Sequence, residues 1–288
     1  MYHRTDLIYL YDGTFDGFLC CVFDAVYHKR FPTEIYREDD EAIPALLPLH
    51  RVETEFDKAR RVARSIPEKI GREAQQLVRD AFLTALPQKE AVMLRFLLKG
   101  YHEGPDIVYR LGDDDVYALR QAVQHLGNEA HLLKGFIRFS DADGVLVAEI
   151  EPKNQVLPVL AEHFIARFSG ERFLIYDRTH RSALIYDRER VRIIAVEKLE
   201  LPPPGAEERA FRALWKQFYE TIAIEARYNP RCQRTHMPLS YRGVMTEHQA
   251  FDARKEWEDA HVHRKTVSGL QGLPVGRNET ENRIRQAE

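Results

Sequence analysis

The chain has 288 residues, enough for one large domain or two modest ones, and 44% of them are hydrophobic, as in a protein with a real core. The 42 basic and 45 acidic residues leave a net charge of -3, which excludes a general attraction to nucleic acid or to an anionic membrane, so any such partner is met locally. Three cysteines cannot build a disulfide framework, no apolar run approaches the roughly 18 to 20 residues of a membrane span, and the N-terminus lacks a signal core; a soluble cytoplasmic protein is expected.

Residues 6–11, "DLIYLY", are apolar and β-prone and run into Asp-Gly, so they predict a strand and a turn. Phe15, Phe18, Leu19, Val22, Phe23, Val26 and Tyr27 then fall on one face of a helix ending near His28, with Thr14 as its N-cap. Residues 31–57 are acidic and proline-punctuated and read as a connection carrying a short strand. Helices are predicted over about 55–65, 68–86, 88–99 and 113–126, the last opened by three aspartates that suit a helix N-terminus.

The texture changes near Gly135. "GFIRFS" and "VLVAEIE" flank "DADG" and predict a hairpin, and "NQVLPVLAEHFIARF" predicts a helix with Asn154 as cap and Pro158 in its first turn. "RFLIYDR" and "SALIYDR" form a second pair of strands, followed by "VRIIAVEKL". The order implies an α+β fold: a mainly helical N-terminal half, an antiparallel β-β-α-β-β sheet with a packed helix, and a C-terminal helix with a basic loop. "LPPPG" at 201–205 is a stiff linker. A helix over 206–228 carries Phe211, Leu214, Trp215, Phe218 and Ile222 on one side and ends before Asn229-Pro230. One domain is expected over 1–261, with helical part about 55–134, sheet part about 135–200 and C-terminal helix and loop 206–261, then a mobile polar tail over 262–288.

"YDGTFDGFLCCVFDA" at 11–25 concentrates chemistry-bearing residues but lacks the lysine and glycine spacing of a phosphate loop. Asp12 and Asp16 are close enough in sequence to share a proton or a metal ion; capping of the turn and of the helix dipole is the favoured alternative. Cys20 and Cys21 diverge around a helix and read as buried small residues. Cys232 and His236 make half of a metal-site spacing without a second half, so no metal site and no cofactor are expected.

The repeated "LIYDR" brings Asp177, Arg178, His180, Arg181, Asp187 and Arg188 to one end of two strands, and residues 167–192 hold seven arginines against four acids. This is either a phosphate-contacting turn or a set of mutually neutralised charges. "RYNPRCQRTHMPLSYR" at 227–242 holds four arginines and no acid, interleaved with aromatics. It suits phosphate contact with base stacking. The nucleic-acid-binding candidates are therefore Arg178, Arg181, Arg227, Tyr228, Arg231, Arg234 and Tyr241, and the candidates for proton transfer are Asp12, Asp16, His180 and His236.

Five blocks in order, "YDGTFDGFLCCVFDA", "GNEAHLLKGFIRF", "PKNQVLPVLAEHFIARF", "ERFLIYDRTHRSALIYD" and "NPRCQRTHMPLSYRGVMTE", resemble the bacterial domain-of-unknown-function family labelled "probable DNA metabolism protein". Members of that family are typically encoded beside a radical S-adenosylmethionine protein resembling spore photoproduct lyase, and relatives are fused to a uracil-DNA glycosylase. The resemblance implies a DNA repair or modification setting, with DNA and the radical enzyme as partners, and supplies no reaction. Matching positions include Asp12, Gly13, Asp16, Gly17, His131, Lys134, Arg138, His163, Asp177, His180, Arg231 and His236; Arg242 departs from an expected tryptophan. The chain has no C-x3-C-x2-C, so a radical cluster would belong to the neighbour. Three readings stay open: a DNA-binding accessory protein, a hydrolytic or lyase enzyme acting on a base or phosphate, and a scaffold for the radical enzyme.

Overall fold

A computed structural model describes residues 4–40, 43–44, 46–200, 205–222 and 229–245. β1 (Arg4–Tyr11) leads into α1 (Phe15–His28), β2 (Phe31–Arg37) and β3 (Leu49–Arg51), and the three strands form a parallel sheet in the order β2-β1-β3. The strand-turn-helix junction expected at residues 6–28 is present. Thr14 caps α1 by accepting a hydrogen bond from the Gly17 N–H at 2.9 Å. The parallel sheet was not expected from the sequence, because β2 carries a proline and β3 is only three residues long.

α2 (Phe56–Lys69), α3 (Arg72–Phe82), α4 (Lys89–Glu103), a 3-10 turn (Pro105–Tyr109) and α5 (Asp114–Phe136) follow. Asp113 caps α5 by accepting from the Asp115 and Val116 N–H groups. The helix runs ten residues past its expected end, because Leu126, Ala130 and Leu133 continue its buried stripe, so "GF" closes a helix and does not open a strand.

The second sheet has the order β4-β5-β6-β7-β8, from β4 (Ser140–Ala142), β5 (Val145–Ile150), β6 (Phe173–Asp177), β7 (Ser182–Tyr186) and β8 (Val191–Ala195). The α+β class is as expected. One pairing differs: β5 and β6 are parallel, because α6 (Leu157–Arg167) carries the chain back between them. Asn154 does not cap α6. Its Oδ1 accepts from the Ala85 N–H at 2.8 Å and its Nδ2 donates to Glu129 at 2.7 Å, tying this loop to the α3–α4 connection and to α5.

α7 (Ala206–Ile222), α8 (Pro230–His236) and α9 (Leu239–Arg242) complete the described chain. The expected basic loop is helical from residue 230. Pro230 opens α8, where its missing N–H costs nothing, and Asn229 Oδ1 accepts from the Arg231 and Cys232 N–H groups. The chain divides into two units, Met1–Glu247 and His248–Glu288, and all the elements above belong to the first. The expected tail over 262–288 lies outside the described residues.

Two hydrophobic clusters fill the first unit. One joins β1, β2 and α1 through α4 to the N-terminal half of α5, and the other joins the C-terminal half of α5 to α6 and the second sheet. Cys20 and Cys21 are both buried in the first cluster, and burial pushes the Cys21 thiol well up.

At the β1–α1 junction, Asp12 Oδ1 accepts from the Thr14 N–H at 2.9 Å and hydroxyl at 2.7 Å, and its Oδ2 accepts from the Thr54 hydroxyl at 2.8 Å. A Cβ on Gly17 would stand 2.2 Å from Asp12 Oδ1 and 2.8 Å from Thr54 Oγ1. Gly17→Ala is therefore expected to break this bridge and cost about 1–3 kcal/mol of stability, read as a lower urea midpoint at unchanged m-value.

Buried Lys89 donates to the carbonyls of Phe82 (2.5 Å) and Thr84 (3.0 Å) at the end of α3, and burial lowers its pKa to about 8. An unfolded lysine keeps its proton to about 10.4, so between pH 8 and 10 the unfolded chain binds more protons and this group adds stability as pH rises. Tyr9, Tyr11, Cys20 and Cys21 act oppositely, since burial holds their protons where the unfolded groups lose them. The lysine's share is isolated by difference. From pH 7.5 to 9.5, wild type is expected to gain about 2 kcal/mol relative to Lys89→Met in urea unfolding.

Candidate nucleic-acid interface

The C-terminal turns of α5 and α6 and the first half of α7 enclose an open groove of about 560 Å³. α5 contributes Lys134 and, just beyond its end, Arg138; α6 contributes Phe164, Arg167 and, at its end, Phe168; α7 contributes Glu208, Phe211, Arg212 and Trp215. Cations gather there because the last turns of α5 and α6 both carry basic residues, the favourable end of a helix dipole for positive charge. Aromatics gather there because Phe139, Phe164, Phe168 and Phe173 pack edge-to-face or stacked as the rim of the second core, with ring centroids 5.1–6.4 Å apart.

α7 is seated by one polar anchor. Arg212 Nε donates to Glu208 Oε1 at 2.7 Å, Arg212 Nη2 donates to Ser140 Oγ at 2.5 Å, and the Asp141 N–H donates to Glu208 Oε2 at 3.4 Å. Burial raises the Glu208 carboxyl, and these hydrogen bonds outweigh it and hold the group below the ordinary carboxylate range. The anchor sets Trp215 in the groove with the Arg138 guanidinium 5.8 Å from its ring centroid.

Among the described residues, Lys134 and Arg167 form no ion pair. Burial, then Lys134 and Arg167, lower the pKa of His163 on α6, and its Nε2 has no hydrogen-bond partner among the described residues. Cations without matching anions, beside a neutral imidazole, leave this groove able to accept negative charge. The apolar stripe of α7 is exposed: Phe211 is 68% and Trp215 42% accessible, and Trp215 stacks on Phe218 at 5.7 Å.

Of the positions singled out in the sequence, Lys134 and Arg138 line this groove and His163 adjoins it, while the candidates for proton transfer and nucleic-acid binding lie elsewhere. Asp12 and Asp16 sit at the β1–α1 junction, exposed, with Asp12 committed to Thr14 and Thr54; burial raises its carboxyl, and those hydrogen bonds outweigh burial and lower it. Arg178, His180 and Arg181 share the β6–β7 turn. There the fully buried Asp177 accepts from the His180 N–H at 3.0 Å and lies 2.7 Å from His180 Nδ1, while Arg178 pairs with Glu151 at 2.9 Å and Arg181 adopts a positive φ of 50°.

Arg231 and Arg234 line an open hollow on α8 with Asn229 and Thr235, and His236 ends that helix, exposed. Tyr241 is half-buried, 5.5 Å from Phe136, and burial and the nearby Glu129 push its hydroxyl up. Arg227 and Tyr228 lie outside the described residues. Asp12 and Asp16 stand at the β1–α1 junction and His180 in the β6–β7 turn of the second sheet, and no hydrogen bond joins them. Among the described residues, no group of three or more His, Cys, Asp or Glu could hold a metal ion. No helix among them is long and apolar enough to cross a membrane.

Arg167 and Phe168 carried no signal in the sequence, and Phe211 and Trp215 read there only as the apolar side of a helix. A family model described as "Domain of unknown function (DUF4130)" matches residues 87–247, more than half of the chain. The chain belongs to the DUF4130 family. No curated protein matches it. The DUF4130 match takes in the whole groove and the β6–β7 turn and begins just before α4, so β1, α1, the rest of the first sheet and α2 and α3 precede it.

Glu208→Ala is expected to free the start of α7 from β4 and cost about 1–3 kcal/mol of stability. In native-state hydrogen exchange the amides of α7 are expected to lose protection while those of α5 keep theirs.

Proposed function

We propose that this protein is a nucleic-acid-binding accessory factor in DNA metabolism, and that the groove between α5, α6 and α7 takes a single strand. The observation that carries the reading is the composition of the groove: Lys134, Arg138 and Arg167 beside Phe168, Phe211 and Trp215. A single strand needs cations spaced along a backbone and aromatic faces for unstacked bases, and this groove supplies both. The basic α8, with Arg231 and Arg234 lining a separate open hollow, adds a second cationic patch.

The resemblance of the five sequence blocks supplies the setting of repair or modification and the radical S-adenosylmethionine protein as a working partner. A second reading is favoured by one feature. The buried Asp177 can fix the tautomer of His180, the arrangement that prepares an imidazole to carry a proton, so an enzyme acting on a base or phosphate is the alternative.

The test is fluorescence anisotropy of a labelled single-stranded oligonucleotide across about 50 to 200 mM salt. Affinity is expected to fall steeply with salt. Lys134→Gln with Arg167→Gln is expected to lower the salt slope by about 1.4, at about 0.7 for each phosphate that the protein no longer neutralises. Trp215→Ala is expected to cost about 1–3 kcal/mol without changing the slope. Absence of binding at low salt, or affinity indifferent to salt, overturns the reading.

A further inference from the structure

The outer face of α1 and α2 carries a second set of residues with the same chemistry, none of which the groove uses. The apolar stripe of α1 is longer than the core it serves: Phe18, Leu19 and Val22 are buried, while Val26 and Tyr27 emerge, Tyr27 to 67% exposure. Tyr27 lies nearly parallel to Phe23, with ring centroids 5.4 Å apart and planes 13° apart. Lys58 Nζ and the Arg61 guanidinium each stand 5.7 Å from the Phe23 ring centroid, so a two-ring stack is flanked by two cations. Phe56, at the start of α2, is 71% exposed.

α2 buries Ala59, Val62 and Ile66 and turns Arg60, Arg61 and Arg64 to solvent. These three arginines form no ion pair among the described residues. Two of the acids around them are engaged elsewhere. Glu55 is paired with Lys58, and Asp24 of α1 accepts from Tyr9 at 2.7 Å and faces His28 and His50 at 3.5 and 3.3 Å. Asp57 and Glu68 stand one turn away on α2 without pairing to the arginines. Like charges one turn apart repel, and Asp57 and Glu68, each four residues from an arginine, offset part of that repulsion, so the face keeps a modest excess of positive charge.

We infer that the α1–α2 face is a second binding site for single-stranded nucleic acid, with Arg60, Arg61 and Arg64 on phosphates and Tyr27, backed by Phe23, as the platform on which a base stacks. The charge calls for a polyanion, and the exposed Tyr27 ring, lying parallel on the partly buried Phe23, calls for one that carries flat groups. A single strand offers both, whereas an acidic peptide offers only the charge. The site lies before the residues matched by the family model, so it is a property of this chain's N-terminal part. The choice of ligand rests on the proposed nucleic-acid binding; the residues are independent of it.

The full chain is titrated onto labelled oligothymidylate at about 50 mM salt and then across a salt series. The Arg60→Gln, Arg61→Gln, Arg64→Gln triple variant is expected to bind at least about tenfold more weakly, with a salt slope lower by about 2. Tyr27→Ala is expected to weaken binding about fivefold or more at unchanged slope. All four side chains are exposed, and a thermal melt equal to wild type shows that each variant folds.

Lys134→Gln with Arg167→Gln is measured in parallel. Weakened binding in the groove variant with full affinity in both α1–α2 variants overturns this inference and leaves the groove standing. The converse sustains the inference and overturns the groove. Wild type that binds no oligonucleotide overturns both. Polyglutamate that displaces the oligonucleotide at equal charge assigns the face to an acidic protein and overturns the inference.

Discussion

Everything in the first unit depends on α5 serving two cores at once. Its 23 residues, about 34 Å of helix, place Val116 and Leu119 in the first cluster and Leu126, Ala130 and Leu133 in the second. Polar contacts hold it at both ends. Arg95 and Lys99 of α4 donate to Asp113 and Asp115 at 2.5–2.9 Å, and they hold the Asp115 carboxyl low against the burial that would raise it. Farther along, Glu129 accepts from the Lys153 and Asn154 N–H groups, fixing the loop that launches α6. The groove follows from this: Lys134 and Arg138 are where they are because α5 is too long to end inside the second core.

Local chemistry was legible in the sequence wherever it acts over a few residues. Thr14 caps the helix it precedes, the aspartates at 113–115 open α5, and the paired cysteines are buried, whereas Pro230, read as part of a loop, opens a helix. The parallel pairings of β1 with β2 and of β5 with β6 were not, because strand direction is decided by what the intervening helix packs against and not by the strands themselves. "GFIRF" is β-prone as a pentapeptide, yet its first two residues stay helical because the stripe through Leu133 is already buried. Asn154 is a good cap by type, and it was claimed instead by Ala85 and Glu129, 69 and 25 residues away.

The groove was illegible for a related reason. Its cations and rings come from residues 134–139, 164–168 and 208–215, and within each segment they look like the edge of an amphipathic helix. Only the crossing of three helices makes them one surface. The dense basic stretch at 227–242 advertised itself because its arginines are contiguous, but contiguity is poor evidence of convergence: Arg231 and Arg234 share α8 while Tyr241 turns into the second core. The "LIYDR" repeat converged more than its charges suggested, since the β6–β7 register sets Asp177 opposite Ser182 and leaves a short turn in which His180 must fold back onto the carboxylate.

A net charge of -3 and two surfaces rich in arginine and lysine are compatible because many acids are held elsewhere: Asp12 by Thr14 and Thr54, Asp24 by Tyr9, Asp113 and Asp115 by α4, Asp177 by His180. Each of these carboxylates is spent on the fold, as a cap, a strut or a turn. The arginines and lysines of the two surfaces stand at helix ends and on outer faces, Lys134 and Arg167 in the last turns where the helix dipole favours them. Such a molecule exerts little field at a distance, where its charges cancel. At contact range it presents cations next to aromatic rings, so a polyanion gains from counterion release and stacking only once it is seated. On the proposed reading, selectivity for unpaired bases is the part of the rings, and the cations set how strongly the encounter depends on salt.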